Sequence, residues 1–206
     1  MALTADTDWR LSIGDWMRER LSPHRYQHVL GVAATARELA VRYGADPDKA
    51  ELAGLLHDAA REWRPPQLLA SAREWGLHVG YLEELAPMPS LHAPLGAEVA
   101  RREFGVEDPE VLSAIAHHTL GAEDMTVLDK VLFLADGIEP GRGDADHLRD
   151  VRQASRTDLD RACRLSLDHT FTYLLRSGQV LHPRSVQARN WLICQEKART
   201  TQAKDD

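Results

Sequence analysis

Ala53-Gly54-Leu55-Leu56-His57-Asp58 decides the fold, because an apolar helical run ends there in an imidazole and a carboxylate side by side. Neighbouring residues on a helix point about 100° apart, so both can reach one ion only if it lies in the notch between them. Alone, such a pair is commonly a helix-terminal histidine favoured by the dipole, next to a solvated aspartate. The rest of the chain changes that reading. His28 precedes the pair, and His92, His118 and Asp136 follow it, each where a neighbouring helix is expected to end or cross nearby. Together they read as a site for two metal ions. Asp58 is the candidate bridge, since the two oxygens of a carboxylate can each take one cation and hold the pair about 3.5–4 Å apart.

Working outward, the helical period dominates. Trp9, Ile13, Trp16, Met17 and Leu21 recur at three- and four-residue steps and predict an amphipathic first helix. Ser22-Pro23 is a start signal for a second helix, with Tyr26, Val29, Leu30, Ala33, Ala36, Leu39 and Ala40 inward, ending at Tyr43-Gly44. Asp46-Pro47 opens the helix that carries the His-Asp pair. Gly31 and Gly54 lie inside helices, where each costs about 1 kcal/mol relative to alanine. Close helix approach near the notch would explain both. Pro65-Pro66 begins a short helix to Trp75-Gly76, and residues 77–91 read as a loop or short helices. Pro94 opens the next helix, to Phe104-Gly105, leaving His92 just ahead of it. Asp108-Pro109 caps a helix reaching His117-His118, and Met125 or Thr126 starts an apolar one to Ile138. After the break at Pro140-Gly141-Arg142-Gly143-Asp144, helices are expected over 145–155, 158–177 and from Pro183 to about Gln195. The expectation is an all-α, single helical domain over 9–195, with a metal core at about 22–143 and C-terminal helices after it. Residues 1–8 form a tail, and 196–206 a polar, frayed one.

Composition bounds the function. At 206 residues the chain can bury one substantial core. A formal charge of −7 argues against generic attraction to a nucleic-acid polymer or an anionic membrane. No run approaches a membrane span, and the polar start lacks a signal-peptide core, so a cytoplasmic protein is expected. Cys163 and Cys194 show no metal or disulfide spacing and suit a reducing compartment. The ten histidines are the anomaly, and they invite a search for metal ligands or acid–base groups.

Among the candidates, His28 sits one turn after His24 but deeper in the apolar stretch, which favours it as the ligand. His117 and His118 are adjacent at a helix end, and adjacency does not say which points inward. Asp136 interrupts Val131-Leu132-Phe133-Leu134-Ala135, where an unpaired carboxylate would cost several kcal/mol. A metal or a buried arginine would satisfy it.

The order His28, His57-Asp58, Asp136 resembles the HD metal-dependent phosphohydrolase superfamily. The likeness extends to Arg25–Val32, His92-Ala93-Pro94-Leu95-Gly96-Ala97, His118-Thr119-Leu120-Gly121, Ala135-Asp136-Gly137-Ile138-Glu139-Pro140-Gly141-Arg142, and His182-Pro183 with Ala188-Arg189-Asn190. Over roughly residues 10–195 the chain is similar to the YqeK family of symmetrical bis(5′-nucleosyl)-tetraphosphatases. The resemblance implies a di-iron hydrolase that cleaves diadenosine tetraphosphate into two ADP. It implies His28, His57, Asp58 and Asp136 on one metal, and Asp58, His92 and His118 on the other. It also selects His118, which precedes Thr-x-Gly, over His117. Gly137 departs from the family by replacing a bulkier residue.

Such a nitrogen and oxygen donor set suits iron, with manganese or another transition metal as the alternative. Two dications and two carboxylates leave a positive centre for a polyphosphate, and a metal-bridged water is the expected nucleophile. Asp58, Lys130 and Arg142 are the catalytic candidates. Arg25, Arg61, Thr119, Lys130 and Arg142 are the candidates for contacts to the dinucleoside polyphosphate, with Arg142 foremost because the motif includes it. Rival readings are another HD-type nucleotide phosphatase or phosphodiesterase, and a non-catalytic metal-stabilised nucleotide-binding module. The sequence leaves a homodimer open.

Overall fold

The computed structural model describes residues 9–205, so the expected tail at 1–8 lies outside the described residues. Those residues form helices and turns with no strand: α1 Trp9–Arg20, α2 Pro23–Tyr43, α3 Pro47–Leu56, α4 Pro65–Glu74, α5 Tyr81–Leu85 and α6 Pro87–Phe104 come first. Then follow α7 Pro109–His117, α8 Val127–Ile138, a single 3-10 turn at Pro140–Arg142, α9 Asp146–Ala154, α10 Leu159–Arg176 and α11 Pro183–Asp205. The all-α expectation holds.

Local chemistry explains where the helices begin. Asp46 accepts from the backbone N–H groups of Asp48 and Lys49, and Asp108 does the same for Glu110 and Val111. In each case proline occupies the first helical position, where its missing N–H is not needed. Thr126 and Asp129 form a reciprocal capping box at the start of α8. Ser22 works differently. Its N–H and hydroxyl both bond to the Glu62 carboxylate, which ties the start of α2 to the turn that follows Asp58.

The central layer is α2 packed on α3 and α8, with α6 and α7 closing the far side. Leu56, Ile115, Leu132 and Leu134 are fully buried in it, each contributing about 1.5–3 kcal/mol by leaving water. A second, smaller apolar cluster joins α4 to α6 through Ala60, Leu68, Ala72, Leu91 and Leu95. The α2–α3 crossing is tight. A Cβ on Gly54 would come 2.6 Å from Ala33 Cα, so glycine is required where the backbone carrying His57 passes over α2.

Three expectations are corrected. Pro94 does not open its helix: α6 starts at Pro87, and Pro94 lies in its interior. The helix forgoes one backbone hydrogen bond there, while Leu91, Ala93 and Leu95 are buried around the proline and hold the segment helical. His92 is therefore a residue within a helix, not one ahead of it. Leu30 faces outward, because the buried arc of α2 runs through His28, Val29, Val32, Ala33 and Ala36 against α3 and α8. Finally, α11 continues past Glu196 to Asp205. Glu196 bonds to Arg164, and Arg199 pairs with Asp160, so charged contacts to α10 replace the apolar face that the tail lacks.

Candidate metal centre

The site grows from the helix ends around that central layer. His57 follows the last residue of α3 and keeps helical dihedrals (φ −55°, ψ −39°), so its ring stays over α3 and its Nδ1–H donates to Gly54 O at 2.7 Å. His118 repeats the arrangement at the end of α7, donating to Ile115 O at 2.7 Å. Within α6, His92 Nδ1–H donates back one turn to Met88 O. On α2, His28 Nδ1 lies 3.0 Å from Glu139 Oε1. A carbonyl oxygen can only accept, so each of those three imidazoles carries its proton on Nδ1 and turns an Nε2 lone pair inward. Glu139 sets the same tautomer in a neutral His28. Metal-ligating histidines are oriented by this type of contact.

The four Nε2 atoms divide into two pairs around one carboxylate. Asp58 Oδ2 lies 3.4 Å from His57 Nε2 and 3.9 Å from His28 Nε2. Asp58 Oδ1 lies 3.7 Å from His92 Nε2 and 3.8 Å from His118 Nε2. Asp136 joins the first pair, its Oδ1 being 2.9 Å from His28 Nε2 and 3.9 Å from His57 Nε2. His92 Nε2 and His118 Nε2 are 3.2 Å apart. Donors that sit about 2.0–2.2 Å from a common cation are separated by roughly 3–3.5 Å when adjacent and up to about 4.2 Å when opposite, and spacings of 2.9–3.9 Å fall within that reach.

Two further observations test that fit. His57 Nε2 is buried and has no hydrogen-bond partner, which is costly unless something else binds it. His28 Nε2 and Asp136 Oδ1 are 2.9 Å apart, and Arg142 Nη2 lies against both, so a cationic group already sits where these two acceptors meet. A divalent ion would satisfy His57 Nε2 and would take over from the guanidinium the role of cation between His28 and Asp136. His28, His57 and Asp136 bring ligand atoms within 4.8 Å of one another, as do His57, Asp58 and His118. His57 thus stands at the junction of the two halves, and His92 completes the second.

Charge around the cluster is lopsided. Burial works to raise the Asp58 carboxyl, but the adjacent His57 overrides it and holds Asp58 far below the usual carboxylate range. For Asp136, burial is likewise outweighed, first by the His28 hydrogen bond and then by the charges of His57 and Arg142. Burial pushes His118 down to about 3, reinforced by His57 and His92, and burial also lowers His92. The cluster therefore presents ionised carboxylates with His92 and His118 neutral, as ligands require. At His57, by contrast, burial is outweighed by Asp58 and then Asp136, which push the imidazole up and favour a proton that a bound cation would displace.

Arg25 Nη1 reaches Asp58 Oδ2 at 3.0 Å, and Arg61 Nε stands 4.0 Å from Asp58 Oδ1. Arg142 donates to Asp136 Oδ1 and, at 2.7 Å, to the Asp136 carbonyl oxygen. The Thr119 hydroxyl lies 3.0 Å from His92 Nε2. Four of the five proposed contact residues therefore border the cluster. Lys130 does not. Its ammonium pairs with Asp160 at 2.7 Å and lies 4.8 Å from the centre of the Trp191 ring. Six residues along a helix amount to about 600°, which turns Lys130 some 120° away from Asp136 and toward α10. His24 is exposed, and His117 turns aside to Ser113 and Asp129, which leaves His118 as the inward member of its pair.

One participant escaped the sequence reading. Glu139 is buried, faces His28 with one oxygen and accepts the Gly141 N–H with the other. Its signal was in the glycines. A Cβ on Gly31 would lie 2.6 Å from Glu139 Oε2, and one on Gly141 would lie 2.9 Å from both carboxylate oxygens. Gly31 makes room for this side chain, whereas Gly54 alone serves the helix crossing.

Comparison with known proteins agrees with this architecture. The HD domain model matches residues 25–141, from Arg25 to the turn before Arg142. The chain belongs to the HD-domain family. Within that class its relatives include the symmetrical bis(5′-nucleosyl)-tetraphosphatase of Halalkalibacterium halodurans, 41% identical over 88% of this chain and 95% of that protein. The symmetrical bis(5′-nucleosyl)-tetraphosphatase of Bacillus subtilis is 40% identical over 86% of this chain and 94% of its own length. A crystal structure from Clostridium acetobutylicum, described as a predicted HD superfamily hydrolase involved in NAD metabolism, superposes with a TM-score of 0.86 at 34% identity, covering 89% of this chain and 96% of that one.

Proposed function

We propose that this chain is a metal-dependent hydrolase that cleaves diadenosine tetraphosphate symmetrically into two ADP. The observation that carries the reading is Asp58: each of its oxygens faces a different pair of histidine Nε2 atoms. In this reading His28, His57, Asp58 and Asp136 hold one ion, and Asp58, His92 and His118 hold the second. We assign iron to both positions, with manganese as the alternative, because the donors are imidazole and carboxylate without thiolate. When bound, the ions supply a water of lowered pKa and Lewis-acid polarisation of the phosphoryl oxygens.

The protein's own groups do the rest. Nδ1 contacts to Gly54, Met88, Ile115 and Glu139 hold the four rings in position before substrate arrives. Arg25, Arg61 and Arg142 surround the carboxylates and can transfer their hydrogen bonds to phosphate oxygens, neutralising charge that builds up during phosphoryl transfer. The Thr119 hydroxyl lies beside His92, where it can donate to a neighbouring phosphate oxygen. Water adds to one of the two central phosphorus atoms, the P–O bond from that atom to the bridging oxygen breaks, and the bridging oxygen leaves with the other half. Both halves are ADP, and the protons of the water pass to the new phosphate oxygens or to solvent. Lys130 has no part in this. Its job is to hold α10 against α8.

The same reading makes the protein a cytoplasmic enzyme: among the described residues no helix is long and apolar enough to cross a membrane, and both cysteines are free thiols. Metal-loaded protein incubated with diadenosine tetraphosphate should yield ADP as the only nucleotide product by ion-exchange chromatography. A mixture of AMP and ATP would overturn the symmetrical assignment.

A further inference from the structure

Two clefts lie on either side of α10, and each is lined in part by residues that adjoin one half of the metal cluster. The first, of about 650 Å³, is lined by Gly137, the neighbour of Asp136, by Arg142, which bonds to Asp136, and by the rings of His147, His169 and Tyr173. His147 and His169 lie 5.4 Å apart with their planes tilted by 52°, and His169 Nε2 is buried without a hydrogen-bond partner. The second, of about 440 Å³, is lined by Ser90 and by Thr119, which follows His118 and whose hydroxyl lies 3.0 Å from His92 Nε2. Its wall is apolar, with Phe133, Phe171 and Leu174, and Gln179 and His182 add polar groups. Thr170 lines both.

Each volume is in the range of small-molecule pockets, about 300–1,000 Å³. Each combines ring or aliphatic surface with a few donors and acceptors, the mixture that a purine nucleoside needs for stacking and for its polar edge. Their placement matters more than their size. A dinucleotide cut at its middle must centre its phosphate chain over the cluster, which requires that both ends be held at once. One cleft alone would hold one end and leave the register of the chain undefined.

We propose that the two clefts are separate nucleoside subsites, one beyond Arg142 and the other beyond Thr119, with the polyphosphate lying between them across the cluster. This rests on the reading under Proposed function. The clefts differ in chemistry, the first open and rich in histidine, the second apolar. Two identical ADP halves are therefore held unequally, although the substrate is symmetrical.

The test is an ADP titration of the metal-loaded full chain by calorimetry, beside steady-state kinetics. Wild type should bind two ADP per chain with unequal affinity. Tyr173→Ala should weaken one site about tenfold and leave the other unchanged, and Leu174→Trp should do the reverse. Either variant should raise the KM for diadenosine tetraphosphate about tenfold, with kcat altered less than twofold. If Leu174→Trp does not fold, Gln179→Trp fills the same cleft from an exposed position. One ADP per chain, or two sites that neither variant moves, would overturn the two-cleft assignment even if the enzyme makes ADP as proposed. Two ADP sites that respond as described, in a protein that leaves diadenosine tetraphosphate intact, would uphold the clefts and reject the proposed reaction instead.

Discussion

Glu139 Oε1 stands 3.0 Å from His28 Nδ1, joining α2 to the turn after α8 across 111 residues of sequence. The contact fixes the orientation of the His28 ring and aims its Nε2 at Asp58 and Asp136. Removing the negative charge with Glu139→Gln should weaken metal binding by about 10–100-fold, the usual effect of losing an outer partner of a ligating histidine. Gly31→Ala should act in the same direction, because its Cβ would be 2.6 Å from Glu139 Oε2. Competition with a chromogenic chelator measures both, and unchanged affinity in the two variants would show that Glu139 is not coupled to the site.

Asp58 and His118 should differ in how many ions they control. Asp58→Ala is expected to remove both ions and abolish turnover, since one carboxylate faces both histidine pairs. His118→Ala should empty one position and leave one ion per chain. Elemental analysis of the purified variants gives the two stoichiometries. Two ions retained by Asp58→Ala would end the bridging role.

Lys130→Met separates the structural role of this lysine from the catalytic one expected of it from the sequence. Losing the ammonium leaves Asp160 with Arg199 alone. The expected destabilisation is about 1–3 kcal/mol, below the value for a fully orphaned buried charge because one partner remains. Activity at a temperature where the variant is folded should fall less than twofold. A large loss of kcat without loss of stability would return Lys130 to the site.

The same ion pair sets an acid response. Burial works to raise the Asp160 carboxyl, but hydrogen bonds and charge from Lys130 and Arg199 outweigh it and hold the group below its ordinary value. The unfolded chain then binds the proton more readily than the folded one. The stabilisation is full above the unfolded aspartate value of about 3.9 and is lost as the pH falls through the lower folded value. Asp160→Asn should therefore be less stable than wild type at pH 7, with the gap closing as denaturation is followed down to acid pH. A gap that is constant with pH would show that the ionised carboxylate contributes nothing.

Much of this was legible along the chain because its causes are local. Asp46-Pro47, Asp108-Pro109 and Thr126 announce helix starts through caps that bond only two or three residues away. The apolar period of α2 and α8 named their buried faces, apart from Leu30. His57, Asp58 and Asp136 stood out because an imidazole or carboxylate beside an apolar run needs a partner, a need visible in one dimension, whereas His118 was preferred to His117 only through the family resemblance.

What the sequence by itself determined was thus the helical class, most of the boundaries and a set of six candidate ligands that the fold brings together. Tertiary structure decided the rest. Period alone could not tell which way Lys130 turns, because α10 and Trp191 had to be packed against that face first. Pro94 reads as a helix start, yet it lies inside one, since burial of its neighbours outweighs one lost hydrogen bond. Glu139 acquired its role only when α2 brought His28 to it, through a gap left by a glycine that carries no chemistry of its own. Local signals specify what a segment becomes; the partners of a side chain are set by which segments the core brings together, over separations that no periodicity spans.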